Sequence, residues 1–386
     1  MDFQEKIESI APYTEEETMA AIKKLMAHPQ VFFISKYLFP DEPADYMRKM
    51  MKNIKSSEEF QRIVMHEVVE WIINNTTLGF TYDGVDKLKS FDGKFLAMSN
   101  HRDIVLDPAL TQYMLLKNDI PMTEIAVGDN LLSSKPVEYL LRCNRMIKVI
   151  RGISARELYL SSQVLSKYIR ETITTGKSSV WIAQRQGRTK NGLDTTEQGL
   201  LKMFDMSGTG VFIDNFKELN ILPLSISYEY EPCDVRKARE VLISRTRKYV
   251  KKRNEDMHSI LMGMRQQKGH VHLHVGSFLT EGEIEAAAGC ANKNDRYQWI
   301  RNVVDRRIIQ GYKLWPTNYM AYDMLFKTTR YNDHYDMVDV EQFNAYLEHR
   351  MDKVERALDR NDLREILLGI YAGPVQNKEK LFREFE

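Results

Sequence analysis

At 386 residues, 43% hydrophobic and 28% charged, the chain has ample material for a globular core, in one large unit with appendages or in two to three units. A formal net charge of +1 argues against a nucleic-acid binder that works through overall charge. The longest apolar stretches, such as Val31-Phe32-Phe33-Ile34, fall far short of the ~18–20 residues that cross a bilayer, so any membrane contact is expected to be peripheral.

Three widely spaced cysteines, Cys143, Cys233 and Cys290, form no CxxC pair and suit a reducing compartment. The first residues, Met1-Asp2-Phe3-Gln4-Glu5, are acidic and polar and do not read as a signal peptide. The expected location is cytoplasmic, with peripheral contact on the inner membrane face as the membrane option.

Residues 1–88 read as an N-terminal helical region. Thr14, followed three residues on by Glu17, has capping-box spacing, and Met19, Ile22, Leu25 and Met26 follow at helical intervals. The aromatic stretch 31–39 is read as ordinary packing, with lipid contact or an apolar channel as its rival. Further helices are predicted over 43–54 and 57–75, the latter with Phe60, Ile63, Val64, Val68, Trp71 and Ile72 in one packing stripe.

Residues 89–280 change character. Short apolar runs bounded by turn residues alternate with helical stretches, the pattern of an α/β domain. Strands are predicted over 94–98, 124–127, 146–150, 179–183, 221–228 and 271–275, with helices near 108–117, 132–142, 154–175, 195–207 and 235–265. Residues 281–386 read as a C-terminal helical subdomain. Helical periodicity covers 296–312 and 340–358, and a short stretch after Asn361 is expected to end at Gly373-Pro374.

The first stretch with chemical potential is Ser99-Asn100-His101-Arg102-Asp103-Ile104-Val105-Leu106-Asp107-Pro108, between an apolar run and a helix. Turns at the carboxyl end of a strand are where α/β proteins usually carry their chemistry. Asp107-Pro108 reads as an N-cap followed by a first-turn proline, which leaves a loop able to fold a carboxylate back onto the imidazole. Two readings stand side by side. His101 is a general base held in one tautomer by an aspartate, or Asp107 is a helix cap beside a loop histidine bonded to backbone.

Farther on, Arg151 sits at the exit of strand 146–150, where its guanidinium meets either a phosphate or carboxylate or simply solvent. Strand 179–183 runs into Gln184-Arg185-Gln186-Gly187-Arg188-Thr189-Lys190. There the glycine frees backbone N–H groups beside Arg185, Arg188 and Lys190; an anion cradle is the functional reading and a solvated basic loop its rival. Pro223 inside the apolar strand 221–228 implies an edge or strand-start position.

Taken in order, these four stretches resemble the glycerolipid acyltransferase family, which includes the 1-acylglycerol-3-phosphate O-acyltransferases. Asn100-His101 with Leu106-Asp107-Pro108 is similar to its first motif, and Ile147 to Arg151 to its second. Gln186-Gly187-Arg188 takes the place of the third, and Leu222-Pro223-Leu224 resembles the fourth. The likeness covers roughly residues 90–280 and implies an acyltransferase-type mixed sheet flanked by helices. It implies His101 as catalytic base with Asp107 or Asp103 as its partner, and Arg151, Arg185, Gln186, Gly187, Arg188 and Lys190 as substrate-binding residues. It further implies acyl-CoA or acyl carrier protein (acyl-ACP) as thioester donor and co-substrate, a lysophospholipid-like acceptor, and no bound cofactor. Two departures bear on this. Five residues rather than the family's four separate His101 from Asp107, and Gln186 replaces the third motif's glutamate, keeping its shape but removing the charge.

Two other stretches invite a function. His270, His272 and His274 share one face of a strand, but next-but-one positions lie about 6.5–7 Å apart, so three in a row rarely converge on one ion. A polar sheet face, with no metal, is the expected role, on the strand that closes the sheet by the family resemblance. The basic run 245–253 is read as a helix with a solvated face, or as a contact to anionic lipid headgroups worth about 1 kcal/mol per basic residue. No Gly-rich phosphate loop or Gly-x-Ser-x-Gly elbow is present. The sequence therefore reads as an O-acyltransferase acting on a glycerolipid or lysophospholipid-like hydroxyl. The alternative is a catalytically weak or inactive lipid- or acyl-carrier-binding protein on the same scaffold, and the third reading is a peripheral membrane scaffold.

Overall fold

The computed structural model describes residues 2–132, 134–152, 154–252 and 254–383. Met1, Arg253 of the basic run, and positions 133, 153 and 384–386 lie outside the described residues. Seven strands form one sheet: β1 (Gly79–Asp83), β2 (Leu96–Ser99), β3 (Glu124–Gly128), β4 (Met146–Val149), β5 (Val180–Ala183), β6 (Ile221–Tyr228) and β7 (His270–Val275). Their order is β1-β7-β6-β2-β5-β3-β4. The strands from β6 to β4 run parallel, β7 is antiparallel to β6, and β1 is parallel to β7. The fold is a mixed α/β sheet flanked by helices.

The central strands are apolar almost without interruption because helices cover both faces. Every residue of β2 and β6 is buried. Leu96, Met98, Val180, Ile182 and Ile221 pack toward helices Ala155–Thr174, Gln198–Met206 and Lys293–Gln310. Ala97, Trp181, Leu222 and Leu224 pack on the opposite side, with Met114 and Leu115 of helix Leu106–Lys117. Because β2, β3, β4 and β5 point the same way, their carboxyl ends at Ser99, Gly128, Val149 and Ala183 share one edge of the sheet. The loops that follow them meet there, where an open α/β sheet offers a crevice.

Residues 1–88 are not helical throughout. Gly79–Asp83 forms the edge strand β1 outside β7, so β7 does not close the sheet. The segment becomes a strand by pairing with β7; five residues of mixed polarity do not announce one by themselves. The capping box of Thr14 and Glu17 is formed and starts helix Glu15–Ala27. The predicted helix over 43–54 shrinks to Tyr46–Met51, while that over 57–75 is a helical run carrying a π segment, Phe60–Met65.

Pro223 lies in an interior strand, between β7 and β2, not at an edge. Its carbonyl accepts from the Gly276 N–H at 3.0 Å, just past the last residue of β7. The missing proline N–H thus falls at the last pairing position beside β7, so only one terminal ladder bond is forgone. The stretch predicted as one helix over 235–265 is two, Asp234–Thr246 and Glu255–Arg265, so most of the basic run is not helical.

The C-terminal helix does not stop at Gly373-Pro374; Arg360–Arg383 is a single helix of 24 residues. The glycine and proline instead let it lie backbone to backbone on the loop after β5. A Cβ on Gly373 would stand 2.4 Å from the Asn191 carbonyl oxygen, and one on Gly192 would stand 2.2 Å from that of Ile370. Gly192 also has a φ of +71°, in the left-handed region. Gly192→Ala is expected to cost about 1–3 kcal/mol from backbone strain alone, with the clash adding to it. A fall in the urea unfolding midpoint at constant slope checks this. Among the described residues, no helix is long and apolar enough to cross a membrane.

Candidate active site

Where β2 ends, the side chain of buried Asn100 takes over its pairing with β6. Its Oδ1 accepts from the Ile226 N–H at 2.8 Å, and its Nδ2 donates to the Ile226 carbonyl at 2.9 Å and to Asp194 Oδ2 at 3.0 Å. The amide imitates one more strand residue and so pins His101 at the sheet edge. The chain then wraps around Asp107. Oδ2 of Asp107 accepts from the Arg102 N–H at 2.7 Å and the Asp103 N–H at 2.9 Å, and lies 3.0 Å from His101 Nδ1. Its Oδ1 accepts from the Tyr228 hydroxyl at 2.9 Å. The five residues between His101 and Asp107 form this turn, and its amides close around the carboxylate.

Helix Leu106–Lys117 starts at Leu106 rather than Pro108, which puts Asp107 in its first turn instead of at the cap. Asp103 is the residue that serves the helix start. Its Oδ1 accepts from the N–H groups of Val105 and Leu106 at 3.0 and 2.9 Å. Of the two aspartates considered as partners of His101, Asp107 meets the imidazole and Asp103 turns away from it. A carboxylate oxygen only accepts, so Nδ1 carries the proton and Nε2 keeps its lone pair. Burial, followed by the charges of Asp107 and Asp103, pushes the Tyr228 hydroxyl well above its ordinary range and keeps it a donor to Asp107.

His101 lines a cleft of about 360 Å³ at this edge. Arg151, Arg185, Gln186, Gly187, Arg188 and Lys190 line the same cleft, so three stretches far apart in sequence converge on one space. Gly128 lets Arg151 come close: a Cβ there would stand 2.6 Å from the Arg151 Nε. Gly187 has a φ of +73°, which only glycine adopts without strain, and the turn it makes aims the basic side chains. The Thr189 N–H donates to the His101 carbonyl at 2.9 Å and ties that turn to the histidine. Lys190 is paired with Glu240, so its charge is partly spent inside the cleft wall. Gln186 is exposed.

Four buried nitrogens of cleft-lining side chains have no hydrogen-bond partner in the protein: Trp181 Nε1, Arg151 Nε, Arg185 Nε and Arg188 Nη1. Buried donors are normally paired, so this surplus marks a wall suited to an oxygen-rich or anionic ligand. The cleft shares Ala126, Arg151, Ala183, Arg185 and Gln186 with a neighbouring groove of about 810 Å³. That groove has an apolar lining that includes Ile10, Val149, Ile150, Leu165, Leu200 and Met203.

Several residues of the site carry no signal in the sequence. Tyr228 is the last residue of β6, and only the sheet brings it to Asp107. Arg102 is buried, with its Nη2 donating to Asp194 Oδ2 at 2.7 Å and to the Gly192 carbonyl at 3.3 Å, and its Nη1 3.6 Å from Glu231. Burial alone would lower the Arg102 pKa, but Asp194 and Glu231 hold it above its ordinary value. Lys237 completes the network, donating to Glu231 at 2.7 Å and to the Arg102 carbonyl at 2.5 Å. Asp256, bonded by Asn130 at 2.9 Å and by Lys251 at 2.6 Å, adds an acidic wall to the cleft. Among the described residues of the basic run, Lys251 lines the site; it is exposed, as expected of a solvated residue, but it lies between two helices rather than on a helix face.

No model of a known protein family matches the chain, and no curated protein matches it. Six solved chains match. Among them is the 1-acyl-sn-glycerophosphate (LPA) acyltransferase PlsC from Thermotoga maritima, 12% identical with a TM-score of 0.41, over 77% of this chain and 97% of that one.

Proposed function

We propose that the cleft transfers a fatty acyl group from a thioester, acyl-CoA or acyl-ACP, to the hydroxyl of a glycerolipid or lysophospholipid-like acceptor. The observation that carries the reading is the His101–Asp107 pair, 3.0 Å apart, on a cleft where Arg151 Nε, Arg185 Nε and Arg188 Nη1 are buried without a hydrogen-bond partner in the protein. His101 Nε2 takes the proton of the acceptor hydroxyl as its oxygen attacks the thioester carbonyl. The tetrahedral adduct collapses, the C–S bond breaks, and the leaving thiolate recovers that proton from the imidazolium. General-base assistance of this kind contributes about 10²–10⁴-fold, with positioning of the two substrates adding to it.

Arg151, Arg185 and Arg188 suit phosphate groups of acceptor or donor, because guanidinium forks bind such oxygens in pairs. The apolar groove suits an acyl chain. Leu158, Tyr159 and Leu160 are exposed on helix Ala155–Thr174, with Leu158 and Leu160 in the lining of that groove, which favours peripheral contact with lipid. The test is incubation with acyl-CoA and acyl-ACP against a panel of glycerol phosphates and lysophospholipids, read by mass spectrometry. An acylated acceptor with released thiol supports the reading; hydrolysis alone, or no turnover of any thioester, overturns it.

The second reading, an inactive lipid- or acyl-carrier-binding protein, rests on Gln186. An exposed carboxylate there would gain at most about 1 kcal/mol from a neighbouring guanidinium. Gln186→Glu is therefore expected to change kcat less than about tenfold, which is 1.36 kcal/mol, and to raise KM for an anionic acceptor by competing for the arginines. Steady-state kinetics decide: a larger gain in kcat would favour a site that had lost its activity with the glutamate.

A further inference from the structure

Strand β7 places His272 and His274 on one face of the sheet, and its register sets Thr81 and Asp83 of β1 beside them. Asp83 Oδ1 lies 2.5 Å from His274 Nδ1 and 3.6 Å from His272 Nε2. One donor atom from each of the three residues falls within 4.8 Å of the others. We propose that Asp83, His272 and His274 form a binding site for a divalent transition metal of the zinc class, at the sheet edge away from the acyl-transfer cleft.

Spacing along one strand argues against three histidines meeting at an ion, but it does not govern donors contributed by two paired strands. Zinc sits about 2.0–2.1 Å from imidazole nitrogen and carboxylate oxygen, so tetrahedral ligand atoms stand roughly 3.3 Å apart. The two observed separations bracket that value. The Asp83 side chain is 58% exposed and free to make the sub-ångström adjustment that would equalise them.

The surroundings of His272 fit a ligand. Its Nδ1 lies 2.8 Å from Thr81 Oγ1, and that hydroxyl donates onward to the Val271 carbonyl at 3.5 Å. In the tautomer whose Nδ1–H donates to Thr81, the lone pair of Nε2 faces Asp83. A metal-bound imidazole is ordinarily held by just such an outer hydrogen bond from its other nitrogen. A simple polar face explains less: one hydrogen bond accounts for one ring on Asp83, yet two rings approach the same oxygen. His270 shows the contrast. It sits opposite Gly79, which offers no donor, and its Nδ1 bonds Glu229 at 2.7 Å instead.

The donor set selects the metal. The site offers a single carboxylate beside two imidazoles, so it has little net negative charge. Affinity must then come from the two imidazoles, which favours zinc, cobalt, nickel or copper over magnesium or calcium. With three protein ligands, a fourth position remains for water, and the bound ion would clamp edge strand β1 to β7.

The test is titration of the untagged chain with Co²⁺, read by visible absorption, followed by displacement with Zn²⁺. One equivalent is expected to bind with the absorption of a tetrahedral centre. Asp83→Asn and His274→Gln should each weaken binding by at least about tenfold. His270→Ala should leave it unchanged. Asp83 is exposed, so its variant tests ligation without endangering the fold, which circular dichroism verifies. Absence of a stoichiometric site in the parent chain, or an equal loss on His270→Ala, overturns the proposal.

Discussion

His101→Ala is expected to lower kcat/KM for acyl transfer by about 10²–10⁴-fold while leaving the unfolding midpoint nearly unchanged. The two halves of this expectation have separate causes. The imidazole lines the cleft whereas the Asp107 carboxylate is buried beneath it, so loss of the ring removes the base. Its removal spares the fold, because Asp107 keeps three other donors: the N–H groups of Arg102 and Asp103 and the Tyr228 hydroxyl. Asp107→Asn is the complementary variant. An amide cannot accept from both sides, so it presents an N–H to a donor-lined pocket and no longer fixes the His101 tautomer. Its cost in kcat reaches up to about 10⁴-fold, and each buried donor left unpaired costs about 1–3 kcal/mol of stability. Steady-state kinetics beside urea unfolding separate the pair. His101→Ala should lose activity alone, and Asp107→Asn should lose both. Turnover within about tenfold of the parent for His101→Ala would sink the mechanism.

Arg102→Met is expected to cost about 3–5 kcal/mol of stability, the range for removing one member of a buried ion network. Arg102 is 3% exposed and balances Asp194 and Glu231. Methionine fills much of the volume, but it leaves the Gly192 carbonyl without its guanidinium donor. Asp194 retains bonds from Asn100 at 3.0 Å and Tyr312 at 2.5 Å, and Glu231 retains Lys237. Two carboxylates then share one ammonium in a dry interior, and that imbalance sets the size of the loss. An exposed pair would be worth at most about 1 kcal/mol, so a measured loss below that figure would show that the network is solvated. Activity should fall as well, since Arg102 joins the His101 loop to the Gly192 loop on which the C-terminal helix rests.

Much of the frame is legible in local pattern. The run Ile221–Tyr228 is a strand with the bounds its apolar composition marks, because a strand covered on both faces is apolar along its whole length. Thr14 and Glu17 start their helix for a reason contained in four residues. Gly79–Asp83 was hidden because its strand character comes from β7, 190 residues away. With it was hidden Asp83, the donor that turns two histidines on one strand into a cluster. Pro223 and Pro374 misled for a common reason: the rule about a missing N–H depends on what faces it. At Pro223 only the terminal pairing position beside β7 is affected, and at Pro374 a glycine loop lies against the helix.

The sequence by itself determined that His101 and Asp103 lie in a loop between a buried strand and a helix, with Asp107 close to the helix start. It also placed Arg151 and the Arg185–Lys190 turn just beyond two other strands. These are local facts, carried by apolar runs, a glycine and the order of residues. Only the tertiary structure decided which aspartate meets the imidazole, since that depends on how the turn's amides close and on a tyrosine 121 residues away. It alone decided that the basic residues share one cleft, because parallel strands bring their carboxyl ends to the same edge. The buried charges beneath the site follow the same logic. An isolated arginine or aspartate in a sequence reads as surface, and its burial becomes affordable only when folding supplies the partners.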